Sequence, residues 1–252
     1  MALLQQFLLS LSFFTRIPLP KGWNPGTGTL AQSAWAFPLA GAVTGALTGA
    51  VYLIFLALGL AHGIAAWAAL AFLVLLTGGL HEDGLADMTD GLASGRNREQ
   101  KLAIMRDSRI GSYGVLALVI TLAIRASAIA GFTSEFKTVW VLITAGACSR
   151  ACLAVLMHFL PNARTDGLSA SAGTPTRAQT LAAVLLAIGT LLLLGNLHAA
   201  LIGVLVLAAA CFIINRIALK QFGGITGDVL GALQQVSETS LLVVLNACLL
   251  PA

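Results

Sequence analysis

Ten carboxylates are spread over 252 residues, yet Glu82, Asp83, Asp87 and Asp90 fall together in the stretch GGLHEDGLADMTDGLASG (78–95). Asp83, Asp87 and Asp90 are spaced i, i+4, i+7. At about 100° per residue they fall within an arc of roughly 60° on a helix, so three carboxylates would share one face. Like charges that close repel unless a cation sits between them, and an oxygen-only donor set suits a hard ion such as Mg²⁺. Glu82 points off that face but completes the acidic group as a fourth candidate metal ligand, and His81 borders it. Gly84 and Gly91 remove side chains where a phosphate or metal would need close backbone approach.

A cationic motif follows: Arg106-Asp107-Ser108-Arg109-Ile110-Gly111-Ser112-Tyr113-Gly114. Two arginines three apart can fork onto phosphate oxygens, the Ser108 hydroxyl and the glycine amides can add donors, and the start of the following helix can hold an anion. Metal-binding acids followed by a phosphate clamp describe phosphoryl-transfer chemistry. Each motif alone has a plainer explanation, since acids can simply end a membrane helix at water and arginines can simply fix topology. Their pairing favours chemistry. Arg164 in Ala163-Arg164-Thr165-Asp166-Gly167-Leu168 and Asp228 in Gly223-Gly224-Ile225-Thr226-Gly227-Asp228 lie in two further glycine-punctuated charged turns. Arg150 and Arg125 fall inside apolar runs, where a charge is by default paired or functional. Arg150 is therefore a candidate phosphate ligand, and either arginine could instead be a partner for Asp228 or Glu238, which follows Gln234 and Gln235 in the last run.

The elements that must position these residues are membrane helices. Hydrophobic residues make up 58% of the chain and charged ones 10%, with a mean hydropathy of +0.91, whereas soluble domains carry about 25% charged residues. Several apolar runs reach the roughly 20 residues that a helical crossing needs, and no alternating barrel-strand pattern appears. The expected fold is an all-α, polytopic membrane bundle forming one domain over 1–252, with about seven spans: Ala34–Leu60, Ile64–Leu80, Tyr113–Phe132, Thr138–Leu160, Leu181–Gly195, Ala199–Asn215 and Leu230–Leu250. Before them, LLQQFLLSLSFFTRIPLP predicts a partly buried amino-terminal helix that Arg16, Pro18 and Pro20 end early. Cys148, Cys152, Cys211 and Cys248 all fall inside spans, which argues against disulfides.

With seven spans, alternate loops can be compared. One side carries eleven Lys and Arg residues, including Arg16, Lys21, Arg106, Arg109 and Arg164, and the other carries Lys137 alone. By the positive-inside rule the amino terminus and the loops after the second, fourth and sixth spans are cytoplasmic, and the candidate site with them. The net charge of +4 belongs to that rim and makes no separate case for nucleic acid.

The pattern His81-x-Asp83-Gly-Leu-Ala-Asp87-x-x-Asp90-Gly, then Arg106-Asp107-Ser108-Arg109-x-Gly111, then Thr226-Gly227-Asp228 followed by Gly231 and Glu238, resembles the cobalamin synthase family. These are membrane adenosylcobinamide-GDP ribazoletransferases. The likeness covers nearly the whole chain, including Ser12–Pro18, and departs at Gly167-Leu168-Ser169, where the family pattern has Gly-Leu-Gly. The resemblance implies that a hydroxyl of α-ribazole, or of its 5′-phosphate, attacks the cobinamide-side phosphorus of adenosylcobinamide-GDP and expels GMP with Mg²⁺ present. That reaction fits the residues read above, which make Asp83, Asp87, Asp90 and Glu82 the candidates for metal, Arg106, Ser108, Arg109, Arg150 and Arg164 those for phosphate, and Asp83, Asp87 and Asp228 those for catalysis. It also implies an inner-membrane location and membrane lipid as a neighbour, and leaves room for a homo-oligomer and for contact with other enzymes of the pathway. A CDP-alcohol phosphotransferase would carry an arginine where Asp87 stands, and a cation transporter would carry its carboxylates near mid-membrane in related halves. The charge distribution predicts that a reporter fused after Arg98 reads cytoplasmic and one inserted near Glu135 reads external; the opposite pattern would overturn the assignment.

Overall fold

A computed structural model describes residues 3–19, 28–132 and 134–249. Pro20, Lys21 and Leu250, used above to bound the first helix, the charge count and the last span, lie outside the described residues. Each expected span coincides with a helix, and the residues between them form short helices and turns.

Helix α1 (Leu3–Phe14) is half-buried through Ser10, Leu11 and Phe14. A 3₁₀ segment (Leu30–Ala36) leads into α2 (Phe37–Ala57), followed by α3 (His62–Thr77), α4 (Leu80–Ser94), α5 (Arg98–Ile104) and α6 (Ser112–Ala130). Then come α7 (Glu135–Phe159), the short α8 (Leu168–Ala172), α9 (Arg177–Leu192), α10 (Leu197–Ile217) with a π-helical turn at Ala218–Phe222, and α11 (Gly227–Leu249).

Four of these elements are long and apolar enough to cross a membrane: Leu30–Ala57, Ser112–Ala130, Glu135–Phe159 and Leu197–Phe222. A fifth is reached only by joining α3 to α4, which are bent by 89°. Length and composition thus support four or five crossings against the seven expected. Two helices account for the rest of the difference. Helix α9 has 16 residues, and α11 has 23 but carries Asp228, Gln234, Gln235 and Glu238. Those polar groups of α11 are turned into the bundle, so a count of apolar residues undervalues it.

The bend after α3 has a local cause. Gly78 and Gly79 both adopt the left-handed conformation, at φ 69° and 70°, which side chains with a Cβ resist. The backbone N–H of Arg16 donates to the carbonyl of Leu76 at 2.7 Å, tying the end of α1 to this corner. Because of the bend, α4 leaves the direction of α3 and carries its acidic face toward the turn that bears Asp228.

Helix α7 is the centre of the bundle: 78% of its most apolar window is buried, against 28% for α6 and α10, whose Leu, Val and Ile side chains face outward. It packs on α2 through glycine. A Cβ at Gly41 would lie 2.0 Å from the Gly146 carbonyl oxygen, and one at Gly45 2.3 Å from that of Leu142. Without a hydrophobic drive between helices in lipid, such close backbone approach supplies much of the packing. At Gly49 the nearest atoms are side-chain carbons of Val139, at 3.0 and 3.2 Å, which can move. Gly41→Ala is therefore expected to lower stability in detergent by about 1–3 kcal/mol or to prevent assembly, with Gly49→Ala costing distinctly less. Equal thermal unfolding of the two variants would contradict this account of the α2–α7 contact.

Candidate active site

Helices α4 and α11 cross with their backbones almost touching. A Cβ at Gly84 would lie 2.9 Å from the Asp228 carbonyl oxygen, and one at Gly231 3.2 Å from that of His81. Gly84 therefore serves helix packing rather than the expected approach of a ligand. Gly91 does likewise, because a Cβ there would meet the side chain of Met105 at 2.7 Å. This crossing sets Asp83 and Asp87 of α4 beside Asp228 in the first turn of α11. Asp83 is exposed, Asp87 half-buried and Asp90 buried.

Burial, with the charges of Asp83, Asp228 and Asp90 nearby, pushes the Asp87 carboxyl from its ordinary 3.8 up to about 7. The uncompensated negative charge and the all-oxygen donor set fit a hard divalent cation. The carboxylates are not gathered into a finished coordination shell. Among the described residues no group of three or more His, Cys, Asp or Glu side chains is arranged to hold an ion.

Two expected metal ligands have other partners. Both oxygens of Asp90 accept backbone hydrogen bonds, from the N–H of Gly111 at 2.7 Å and of Gly114 at 2.9 Å. The amino end of α6, expected to hold phosphate, thus holds Asp90, which satisfies amides that an α-helix leaves open. Glu82, one residue from Asp83 and so about 100° around the helix, points into the bundle. There its Oε1 lies 3.4 Å from Arg125 Nη1 and accepts from Gln235 at 2.9 Å. Arg125 Nη2 donates to Glu238 at 2.5 Å, and Gln234 bonds both Glu238 and Ser149.

Arg150 also departs from expectation. It is 1% exposed, donates to the Gly146 carbonyl at 3.2 Å and lies 5.4 Å from the centre of the Phe14 ring. Buried that deeply, it offers no surface to a substrate phosphate.

The other three arginines expected to bind phosphate sit at the charged rim, each on a carboxylate. Arg106 forks onto both oxygens of Asp166 at 2.7 and 2.8 Å, Arg109 grips Asp107 through Nε and Nη2, and Arg164 donates to Asp228 at 3.2 Å. A fork that fits carboxylate also fits phosphate. The Arg109 guanidinium holds Asp107 down at about 2. Ser108 is exposed between the two arginines.

A short parallel bridge pairs Asn162 with Ile225 through the bonds Ala163 N–H to Ile225 O and Ile225 N–H to Pro161 O, both 2.8 Å. It fastens the loop carrying Arg164 to the loop carrying Asp228. Gly224 permits the contact at φ 155°, where a Cβ would lie 2.2 Å from the Pro161 carbonyl oxygen.

Sequence reasoning passed over a cavity of about 120 Å³ with Phe13, Phe14, Phe37, Leu153 and Met157 among its walls and Asp83 and Asp228 on its lining. The Phe-Phe pair before Arg16 was its one visible trace.

The raised Asp87 pKa has a definite sign for stability. The folded state holds a proton there that the unfolded state releases above 3.8, so the resulting stabilisation is present below 3.8 and is lost as pH rises through about 7. In a chelator, Asp87→Asn should therefore gain thermal stability relative to the parent between pH 4 and pH 7.5 and gain no more above it. Added Mg²⁺ at pH 8 should stabilise the parent more than the variant. A difference between the two proteins that does not change with pH would refute the carboxylate repulsion.

The chain matches the family model described as cobalamin-5-phosphate synthase over residues 6–246. A Bradyrhizobium diazoefficiens protein named adenosylcobinamide-GDP ribazoletransferase is 44% identical over 95% of this chain and 92% of its own length. Proteins of the same name from Mesorhizobium japonicum and Azorhizobium caulinodans are 43% and 41% identical, over 98% and 93% of this chain and 95% and 92% of theirs. No solved structure matches it. A family match that spans almost every helix, including those bearing the acidic face and the arginine turns, places this chain in the cobalamin-5-phosphate synthase family.

Proposed function

We propose that the chain is an adenosylcobinamide-GDP ribazoletransferase that joins adenosylcobinamide-GDP to α-ribazole or its 5′-phosphate and releases GMP. The observation that carries this is the meeting of Asp83 and Asp87 with Asp228 at a glycine-packed crossing, beside a rim of arginines already shaped around anionic oxygens.

In this proposal Asp83, Asp87 and Asp228 would hold Mg²⁺, which when bound would neutralise charge on the diphosphate. Arg106 and Arg109 exchange their carboxylate partners for phosphate oxygens of the donor, with Ser108 between them as a further donor. Arg164, at 3.2 Å from Asp228, orients that carboxylate and meets the same charge. One of the three aspartates takes the proton from the attacking hydroxyl as the bond to phosphorus forms and the bond to the GMP oxygen breaks. The 11-to-1 distribution of basic residues supports a multi-pass protein of the inner membrane with this site facing the cytoplasm, in contact with lipid and with no nucleic-acid partner.

Purified protein incubated with adenosylcobinamide-GDP, α-ribazole phosphate and Mg²⁺ should release GMP. Asp87→Asn should remove the activity while leaving the protein inserted. Arg109→Lys keeps the charge and loses the planar fork, so turnover should fall about ten-fold or more, beyond any change in apparent donor affinity. No GMP release by the parent protein, or parent-like kinetics in Asp87→Asn, would sink the proposal.

A further inference from the structure

Asp83 lies on the lining of two different concavities. One is the cavity of about 120 Å³ bounded by α1, α4, α7, α8 and α11. The other, about 600 Å³, is bordered by Arg16, Thr77, Gly78, Ala86 and Ile110. We propose that the smaller cavity is the seat of the flat, apolar base of the nucleoside acceptor, and that the larger concavity admits the bulky donor, so that Asp83 stands where the two substrates meet. This rests on the transferase function above.

Size argues first. About 120 Å³ is several times the roughly 30 Å³ share of one water and below the ~300–1,000 Å³ of sites for drug-sized ligands, so the cavity suits one ring system and excludes a whole nucleotide or corrinoid.

Chemistry argues second. Phe14 stacks on His81 with ring centres 5.7 Å apart and planes 25° apart, and Phe13 and Phe37 meet the Phe14 ring edge-on at 5.0 Å. These rings give the cavity an aromatic wall on the side of α1 and α2, against which a flat apolar base can pack. The apolar walls formed by Leu153, Met157 and Leu230 favour a base that carries few polar edge groups. A buried polar atom without a partner belongs to this lining: the Nε2 of His81, a residue 3% exposed, makes no hydrogen bond. It can pair with a ring nitrogen of a base that carries few other polar groups.

The test measures binding of α-ribazole and of adenosylcobinamide-GDP separately to the detergent-purified full chain. Ala172→Phe, which fills the cavity from α8, should weaken α-ribazole binding by about ten-fold or more and change donor binding by less than about two-fold. An acceptor carrying a single-ring imidazole in place of its bicyclic base should lose much less in that variant. Phe37→Leu, which removes a flat wall of the smaller cavity and does not border the larger one, should weaken α-ribazole alone. Retained donor affinity shows that each variant is folded. Unchanged α-ribazole affinity in both variants would overturn the assignment, as would equal loss for large and small bases, or weakening of the donor instead. Parent protein that binds α-ribazole in this manner but releases no GMP would count against the transferase function and leave the cavity assignment standing. GMP release with acceptor binding indifferent to Ala172→Phe would do the reverse.

Discussion

The arrangement depends on one buried charge. Arg125 is fully enclosed in α6, and its guanidinium is neutralised by Glu82 of α4 and Glu238 of α11, with Gln235 completing the set. Removing one partner of such a group costs on the order of 3–5 kcal/mol, because the charge left behind has no water to turn to. Three helices distant in sequence are thereby held to one register. The same helix that turns Glu82 inward turns Asp83 outward, so structural and chemical carboxylates are neighbours in the chain and face different surroundings. The network fixes where α4 lies, and α4 fixes where the acidic face opens.

Around that anchor, the rim is organised by opposite charge. Arg106, Arg109 and Arg164 are each occupied by a carboxylate, two of them at exposed positions where an ion pair contributes little to stability. Pairs of that kind are readily exchanged for a more highly charged anion. The Asn162–Ile225 bridge does the opposite for Arg164 and Asp228, since it joins their loops through backbone and leaves them little freedom.

Much of this was legible in the sequence. Every expected span is a helix, the half-buried α1 is present, and the i, i+4, i+7 spacing does place Asp83 and Asp87 at an open face. What the sequence hid is what stands opposite each residue. Helical periodicity gives the direction of a side chain about its own axis, and nothing in it says that Asp90 meets the start of α6 or that Glu82 meets Arg125, 43 residues away. Gly84 and Gly91 looked like room for a ligand because a missing side chain reads the same whether a helix or a phosphate fills the gap. Arg150 carried a charge in an apolar run, which signals importance without saying whether substrate or fold is served. Length and composition support four or five crossings beside the seven expected, because α9 is short and α11 turns its polar face into the bundle.

The Arg125 cluster also sets a timetable for biogenesis. Glu82 and Arg125 emerge from the ribosome well before Glu238, which lies 113 residues beyond the arginine in the last helix. Until α11 is made, α6 carries a cation into the bilayer with one of its two acidic partners missing, and an intramembrane charge in that state is costly. Completion of the chain is thus the event that gives the guanidinium its second acid and its amide partner, Glu238 and Gln235. A chain that stops short of α11 leaves the guanidinium on Glu82 alone, at 3.4 Å, without its closer partner Glu238.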